Sequence, residues 1–137
     1  MIHNSPFIQT SNGDGVNGWM IPFAKTSDKF WNDYDIKYVY ATSINPGCKK
    51  GPNLHLKREC RLCSIYGICK VVVKDGDEYI EYELNHTKPC VLAIEAGKPF
   101  CVLNNSLEIC ILINVANHCW TVDDQDNHQV LNWNYGK

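Results

Sequence analysis

The chain has 137 residues, 45% of them hydrophobic and 20% charged, with a formal net charge of −2. That composition fits one soluble globular domain, long enough to bury a core, and the charge balance argues against broad binding to nucleic acid or anionic membrane. No apolar run approaches the roughly 20 residues of a membrane-spanning helix, and the opening MIHNSPFIQTSNGDG lacks the basic and apolar parts of a signal peptide, so the chain reads as cytoplasmic.

In chain order, residues 1–34 form an N-terminal arm rich in Asn, Gly and Ser, with short strands expected at Phe7–Thr10 and Trp19–Ile21 and a helical turn or loop from Pro22 to Trp31. Residues 35–117 carry the pattern of a β core. Asp35–Ile44 is β-branched and aromatic, with Ile36, Tyr38 and Tyr40 on one face, and Pro46-Gly47 ends it. Further strands are expected at Asn53–Arg58, Arg61–Tyr66 and Ile68–Lys74, then a hairpin turn at Asp75-Gly76. The answering strand, Glu78–Leu84, alternates in the manner of a sheet wet on one side. Strands at Cys90–Glu95, Pro99–Leu103 and Leu107–Val115 follow; the last is apolar on both faces apart from Glu108 and Asn114, which makes it central. Residues 118–137 form a polar tail. Asp123-Asp124-Gln125-Asp126 has the composition of a calcium loop but not its glycine and glutamate spacing, and reads as a turn anchoring the C-terminus. Short strands separated by turns, with no long helix, predict a single all-β domain, a barrel or sandwich.

The eight cysteines suggest a disulfide framework, but without a secretory signal the thiols are expected to stay reduced. Six of them (Cys63, Cys69, Cys90, Cys101, Cys110, Cys119) lie in or beside apolar stretches, where cysteine acts as a small hydrophobe. Cys60 and Cys63 form a CxxC; on a strand, residues three apart face opposite ways, so the pair does not converge on a metal.

The chemistry-bearing stretch is Gly47–Gly67. Gly47 is followed by CKKGP, Asn53-Leu54-His55, LKR, Glu59 and, after seven residues, Gly67. This resembles the first motif of the cupins, a superfamily of small jelly-roll β-barrels, and Gly97, Lys98-Pro99, Phe100 and Asn104 resemble the second motif more loosely. Within cupins the chain is most similar to the dTDP-4-dehydrorhamnose 3,5-epimerase-like group, and especially to its short relatives. That resemblance runs from Asp35 to Val130 and rests on Ile44–Gly47, Gly51–Arg58, Lys70–Gly76 and the run Asp123-Asp124-Gln125-Asp126-Asn127-His128.

The resemblance implies a cupin-type barrel and a metal-independent epimerase or isomerase acting on a nucleotide-linked 4-keto sugar. In metal-dependent cupins the ligand positions would be Asn53, His55, Glu59 and Phe100; phenylalanine offers no donor, so no metal or other cofactor is expected. The same resemblance makes His55 the base that removes the proton next to the keto group, a task suited to imidazole. Lys57 is expected on the face of His55 by strand alternation and to stabilise the enolate. Asn53, Arg58, Arg61 and Asn104 are candidates for binding the sugar nucleotide, the guanidinium groups suiting its phosphates. The family's proton donor, a tyrosine just beyond the last strand, is missing from Asn114–Trp120, where His118 could substitute; the aspartate that orients the family's histidine has candidates in Asp123, Asp124 and Asp126, with His128 beside them. The 3,4-ketoisomerases carry His-x-His where this chain has Asn53-Leu54-His55, which lowers that option. The missing tyrosine keeps an alternative open, a non-catalytic cupin that binds a sugar nucleotide. Exposed strand edges and the habit of the family point to a homodimer.

Overall fold

The computed structural model describes residues 1–137. In chain order its elements are β1 (Ile2–Asn4), β2 (Ile8–Asn12), β3 (Gly15–Met20), α1 (Lys29–Asn32), β4 (Tyr38–Ile44), β5 (Lys49–Asn53), β6 (Cys60–Tyr66), β7 (Ile68–Asp75), β8 (Glu78–Asn85), β9 (Cys90–Ile94), β10 (Phe100–Leu103) and β11 (Cys110–Ala116). Two antiparallel sheets face each other, ordered β1-β9-β6-β11-β4 and β5-β10-β7-β8, while β2 and β3 pair as a separate hairpin. From β4 to β11, one sheet takes the first, third, sixth and eighth strands and the other the second, fourth, fifth and seventh. Alternate crossing between two sheets in that order is the jelly roll, the expected cupin-type architecture. No helix is long and apolar enough to cross a membrane.

Side-chain alternation explains the two cores. The inward residues of the roll, among them Ile44, Leu62, Val71, Leu84, Leu92 and Leu112, are buried as one cluster between the sheets. The outer face of the first sheet is also covered: Cys63, Val91 and Val115 pack under Trp31, Ile21, Phe23, Phe30 and Tyr34. Asp28 caps the single helical turn there by accepting from the Phe30 amide at 3.1 Å, and the Trp31 indole donates to the Phe23 carbonyl at 2.7 Å. Burial on both faces is why β11, between β4 and β6, is apolar on both faces. It also separates Cys60 from Cys63, the first in the roll and the second beneath Trp31. All eight thiols are free.

Three expectations shift. The β7–β8 turn is Gly76-Asp77, one residue later than expected, since Asp75 still pairs with Glu78; Gly76 supplies the positive φ of 65°. The strand expected over Leu107–Val115 starts only at Cys110, because Ser106 and Glu108 are tied into a turn around Asn104. Most consequentially, the strand expected over Asn53–Arg58 does not form: β5 ends at Asn53 and the chain bends away from the sheet. Farther on, Gly67 joins β6 to β7 at φ 83°, and a Cβ there would lie 2.5 Å from the Ile109 carbonyl oxygen. Only glycine fits both constraints.

Candidate functional site

A cavity of about 320 Å³ opens at the end of the roll where β4 begins and β5 ends, walled by Tyr38, Tyr40, Asn53, His55, Arg58, Trp120 and Asn127. Tyr38 and Tyr40 share a face of β4 by alternation, their rings 4.8 Å apart. Opposite Tyr40 on β11 stands Asn114, whose Nδ2 donates to the Tyr40 hydroxyl at 2.7 Å. That hydroxyl oxygen accepts from Asn114, so its own proton is free to be donated; burial raises the Tyr40 pKa and keeps that proton in place.

After Asn53 the wall is built by a bend and held by the tail. The His128 amide donates to the Leu54 carbonyl at 3.0 Å, closing an isolated bridge between them. Two residues earlier in the tail, the Asp126 carboxylate, its side chain fully buried, accepts from the amides of Leu56 (3.0 Å), Lys57 (3.1 Å) and Arg58 (3.1 Å). Burial alone would raise its pKa, but those amide donors and His55 outweigh it and hold the carboxyl below the ordinary range. Arg58 is 3% exposed, its Nη2 donating to the Gln125 carbonyl at 3.1 Å and its Nε 3.7 Å from Asp126 Oδ2.

His55 is buried, with Nδ1 2.7 Å from the Asp126 carbonyl oxygen. A carbonyl can only accept, so Nδ1 carries the proton and Nε2 of the neutral ring keeps its lone pair. Burial, aided by the Arg58 charge, lowers the His55 pKa below the usual 6.5, against the opposing pull of Asp126. At neutral pH the ring is therefore uncharged and able to accept a proton, beside a guanidinium and a phenol that can stabilise developing negative charge.

The structure brings together only part of the set expected from sequence: Asn53, His55 and Arg58. Lys57 leaves the cavity because its segment is a bend rather than a strand, and its exposed Nζ pairs with Asp124 at 3.0 Å. His118 pairs through Nε2 with the other Asp124 oxygen at 2.8 Å, so Lys57 ties the tail to the bend while His118 closes a turn within the tail. Arg61 lies on the outer face of the first sheet, its Nε on Glu59 at 2.9 Å and its guanidinium carbon 3.8 Å from the Tyr34 ring centroid and 4.1 Å from that of Phe30, cation–π contacts remote from the cavity. Asn104 is fully buried, its Nδ2 donating to the Ile44 and Glu108 carbonyls at 2.8 Å. It sits by the far end of β4, six residues and about 20 Å along the strand from Tyr38. The residues that sequence reasoning did not place in the wall are Tyr38, Tyr40, Trp120 and Asn127. The alternation of the two tyrosines was an available signal, Asn127 lies in the tail run that carries the family resemblance, and Trp120 was one of several aromatics with nothing to single it out.

The four positions of the cupin metal set do not assemble. Asn53 and His55 line the cavity, the Phe100 ring packs 5.9 Å from that of His55, and Glu59 is engaged by Arg61. No three His, Cys, Asp or Glu side chains gather where they could hold an ion.

The family model described as FdtA, WxcM-like, C-terminal, matches residues 11–133. The chain belongs to that family. No curated protein matches the chain in sequence. Among solved structures, the capsular polysaccharide assembling protein CapF of Staphylococcus aureus superposes with a TM-score of 0.65 at 21% identity over 90% of this chain; the chain spans about a third of that protein, 34%. QdtA, a sugar 3,4-ketoisomerase from Thermoanaerobacterium thermosaccharolyticum crystallised with TDP, gives 0.65 at 21% identity over 90% of this chain and 85% of its own. A double mutant of ChmJ, a 3'-monoepimerase from Streptomyces bikiniensis, in complex with dTDP gives 0.73 at 12% identity over 90% of this chain and 65% of its own. At these identities the likeness carries the fold alone, the jelly roll described above.

Proposed function

We propose that the protein is a metal-independent epimerase or isomerase of a nucleotide-linked 4-keto sugar, with His55 as the base. The observation that supports this most is a neutral imidazole, held by one edge, in the wall of a cavity that also contains Arg58 and Tyr40. His55 removes the proton from the carbon next to the keto group. Negative charge then grows on the keto oxygen, where the Arg58 guanidinium and the Tyr40 hydroxyl favour it. An epimerase returns the proton to the same carbon from the opposite face. A ketoisomerase instead returns it to the former carbonyl carbon, while the neighbouring hydroxyl gives up its proton as it becomes the new ketone. Tyr40 takes the donor's place that sequence reasoning offered to His118. A cavity of about 320 Å³ is at the small end for ligand sites and suits the sugar ring, with the nucleotide extending past Trp120. The fold neighbours support the substrate class: QdtA has been crystallised with TDP and a variant of it with TDP-4-keto-6-deoxyglucose.

Incubating the protein with TDP-4-keto-6-deoxyglucose and resolving the sugar nucleotides by proton NMR tests the reading; a new epimer or 3-keto isomer supports it, and unchanged substrate refutes it for that sugar. The second reading, binding without turnover, draws on the region after β11, where Asn117–Trp120 contains no tyrosine; calorimetry would then show saturable binding of the same compound without conversion.

The lowered pKa of His55 sets the pH dependence. The base works only when neutral, so the rate falls as pH drops through its folded-state value. A base of ordinary pKa 6.5 would keep only about a quarter of its neutral form at pH 6; this enzyme is expected to retain more than a quarter of its pH 7.5 rate there, measured as kcat/KM. A rate that halves at or above pH 6.5 would contradict the assignment.

We further propose that the working form is a homodimer. β4 is a free sheet edge with Val39 exposed, and the β2–β3 hairpin exposes Ile8, Val16, Trp19 and Met20, although two strands alone are marginally stable. Sedimentation at micromolar concentration should give the mass of two chains; a monomer would contradict this.

A further inference from the structure

We propose that Asp126 is the positioning residue of the cavity: its carbonyl fixes the tautomer of His55 while its carboxylate shapes the 56–58 bend that presents Arg58. The inference rests on the reading of His55 as base and deepens it. One residue performs both tasks because its backbone adopts φ 47°, a left-handed conformation uncommon for non-glycine residues and tolerated best by Asn and Asp. From that turn the carbonyl oxygen meets His55 Nδ1 at 2.7 Å, and the carboxylate meets three successive amides.

Anchoring the tail would not by itself require this arrangement. The tail is already tied down by the Lys57–Asp124 pair and by the Leu54–His128 bridge. A buried carboxylate facing three N–H donors is instead suited to fixing backbone direction, since a carboxylate accepts only. An asparagine there would offer one acceptor oxygen and turn an NH2 group toward the same donors. Its loss would also change what His55 senses. The charged groups that bear on the ring are Arg58, Asp126 and His128, with Tyr38 and Tyr40 the other titratable groups of the wall. Of these charges, Asp126 alone favours the imidazolium.

The test is long-range proton–nitrogen NMR of the histidine rings in ligand-free protein, with the His55 signals identified by their absence in His55→Gln. The wild-type ring should be the Nδ1–H tautomer. In Asp126→Asn its titration midpoint should move downward and the single tautomer should give way to a mixture. A folded Asp126→Asn protein whose His55 keeps both its tautomer and its midpoint would overturn the proposal. Should that variant fail to fold, an Nε2–H tautomer in the wild type would overturn it equally, and an Nδ1–H tautomer would support it. Because no sugar is present, the outcome is separate from the proposed reaction: a protein that converts no sugar nucleotide but shows the locked tautomer would refute the reaction and leave the positioning role standing.

Discussion

His55→Gln is expected to lower kcat for the keto-sugar reaction by about 10² to 10⁴-fold, the range a positioned general base contributes, while leaving substrate binding within a few-fold of wild type. Glutamine keeps a polar side chain of similar reach, whose amide can still donate to the Asp126 carbonyl, but it has no site that accepts a proton near neutral pH. The effect should therefore fall on kcat and spare the binding constant, the signature of an interaction made in the transition state. Single-turnover kinetics beside calorimetry separates the two. Loss of binding with kcat unchanged would instead make His55 a ligand-holding residue.

Arg58→Met is expected to damage both stability and turnover. Arg58 and Asp126 are 3% and 0% exposed at the side chain, so the substitution leaves a buried carboxylate with its amide donors but without its counter-charge. Breaking a buried pair in this way costs about 3 kcal/mol, roughly 10 °C in melting temperature for a domain of this size. Methionine fills much of the arginine's volume, which keeps a cavity from adding to the loss. The carboxyl of Asp126 is held below its ordinary value, so it contributes stability above the usual carboxylate range and loses it as pH falls through the folded-state value. The backbone amides and His55 that hold it low remain in the variant, so acid unfolding should keep its wild-type pH dependence while the protein is less stable at every pH. Thermal and acid denaturation followed by circular dichroism measure both effects; a variant as stable as wild type would show that the amides alone satisfy Asp126.

The parts of this protein that were legible in its sequence are those governed by alternation. Val71 and Val73, Leu112 and Cys110, and the glycine after Asp75 all declare strands and a turn within a few residues of themselves, and the roll follows from them. The candidate site was legible at Asn53 and His55, where the cupin motif names it, and at Arg58 only because a guanidinium suits phosphate. The face assigned to Lys57 was lost because the conformation of residues 56–58 is decided by a carboxylate about 70 residues away in sequence, and no local pattern carries that information. Arg61 and Asn104 were misplaced for a related reason: a cation or an amide near a motif has the same local appearance whether it faces a cavity, an aromatic cluster or a buried turn. Asp126 was one of several tail carboxylates, and only the fold shows that its carbonyl meets His55 while its side chain meets the amides of residues 56–58.

The most direct test of the central claim is proton exchange at the carbon beside the keto group. Wild-type protein and TDP-4-keto-6-deoxyglucose are mixed in deuterated water and followed by NMR. Enzyme-dependent deuterium at that carbon, absent with His55→Gln, is the result expected of a neutral imidazole base in this cavity. Deuterium appearing equally with the variant, or none at all under conditions where calorimetry shows the sugar nucleotide bound, would contradict it.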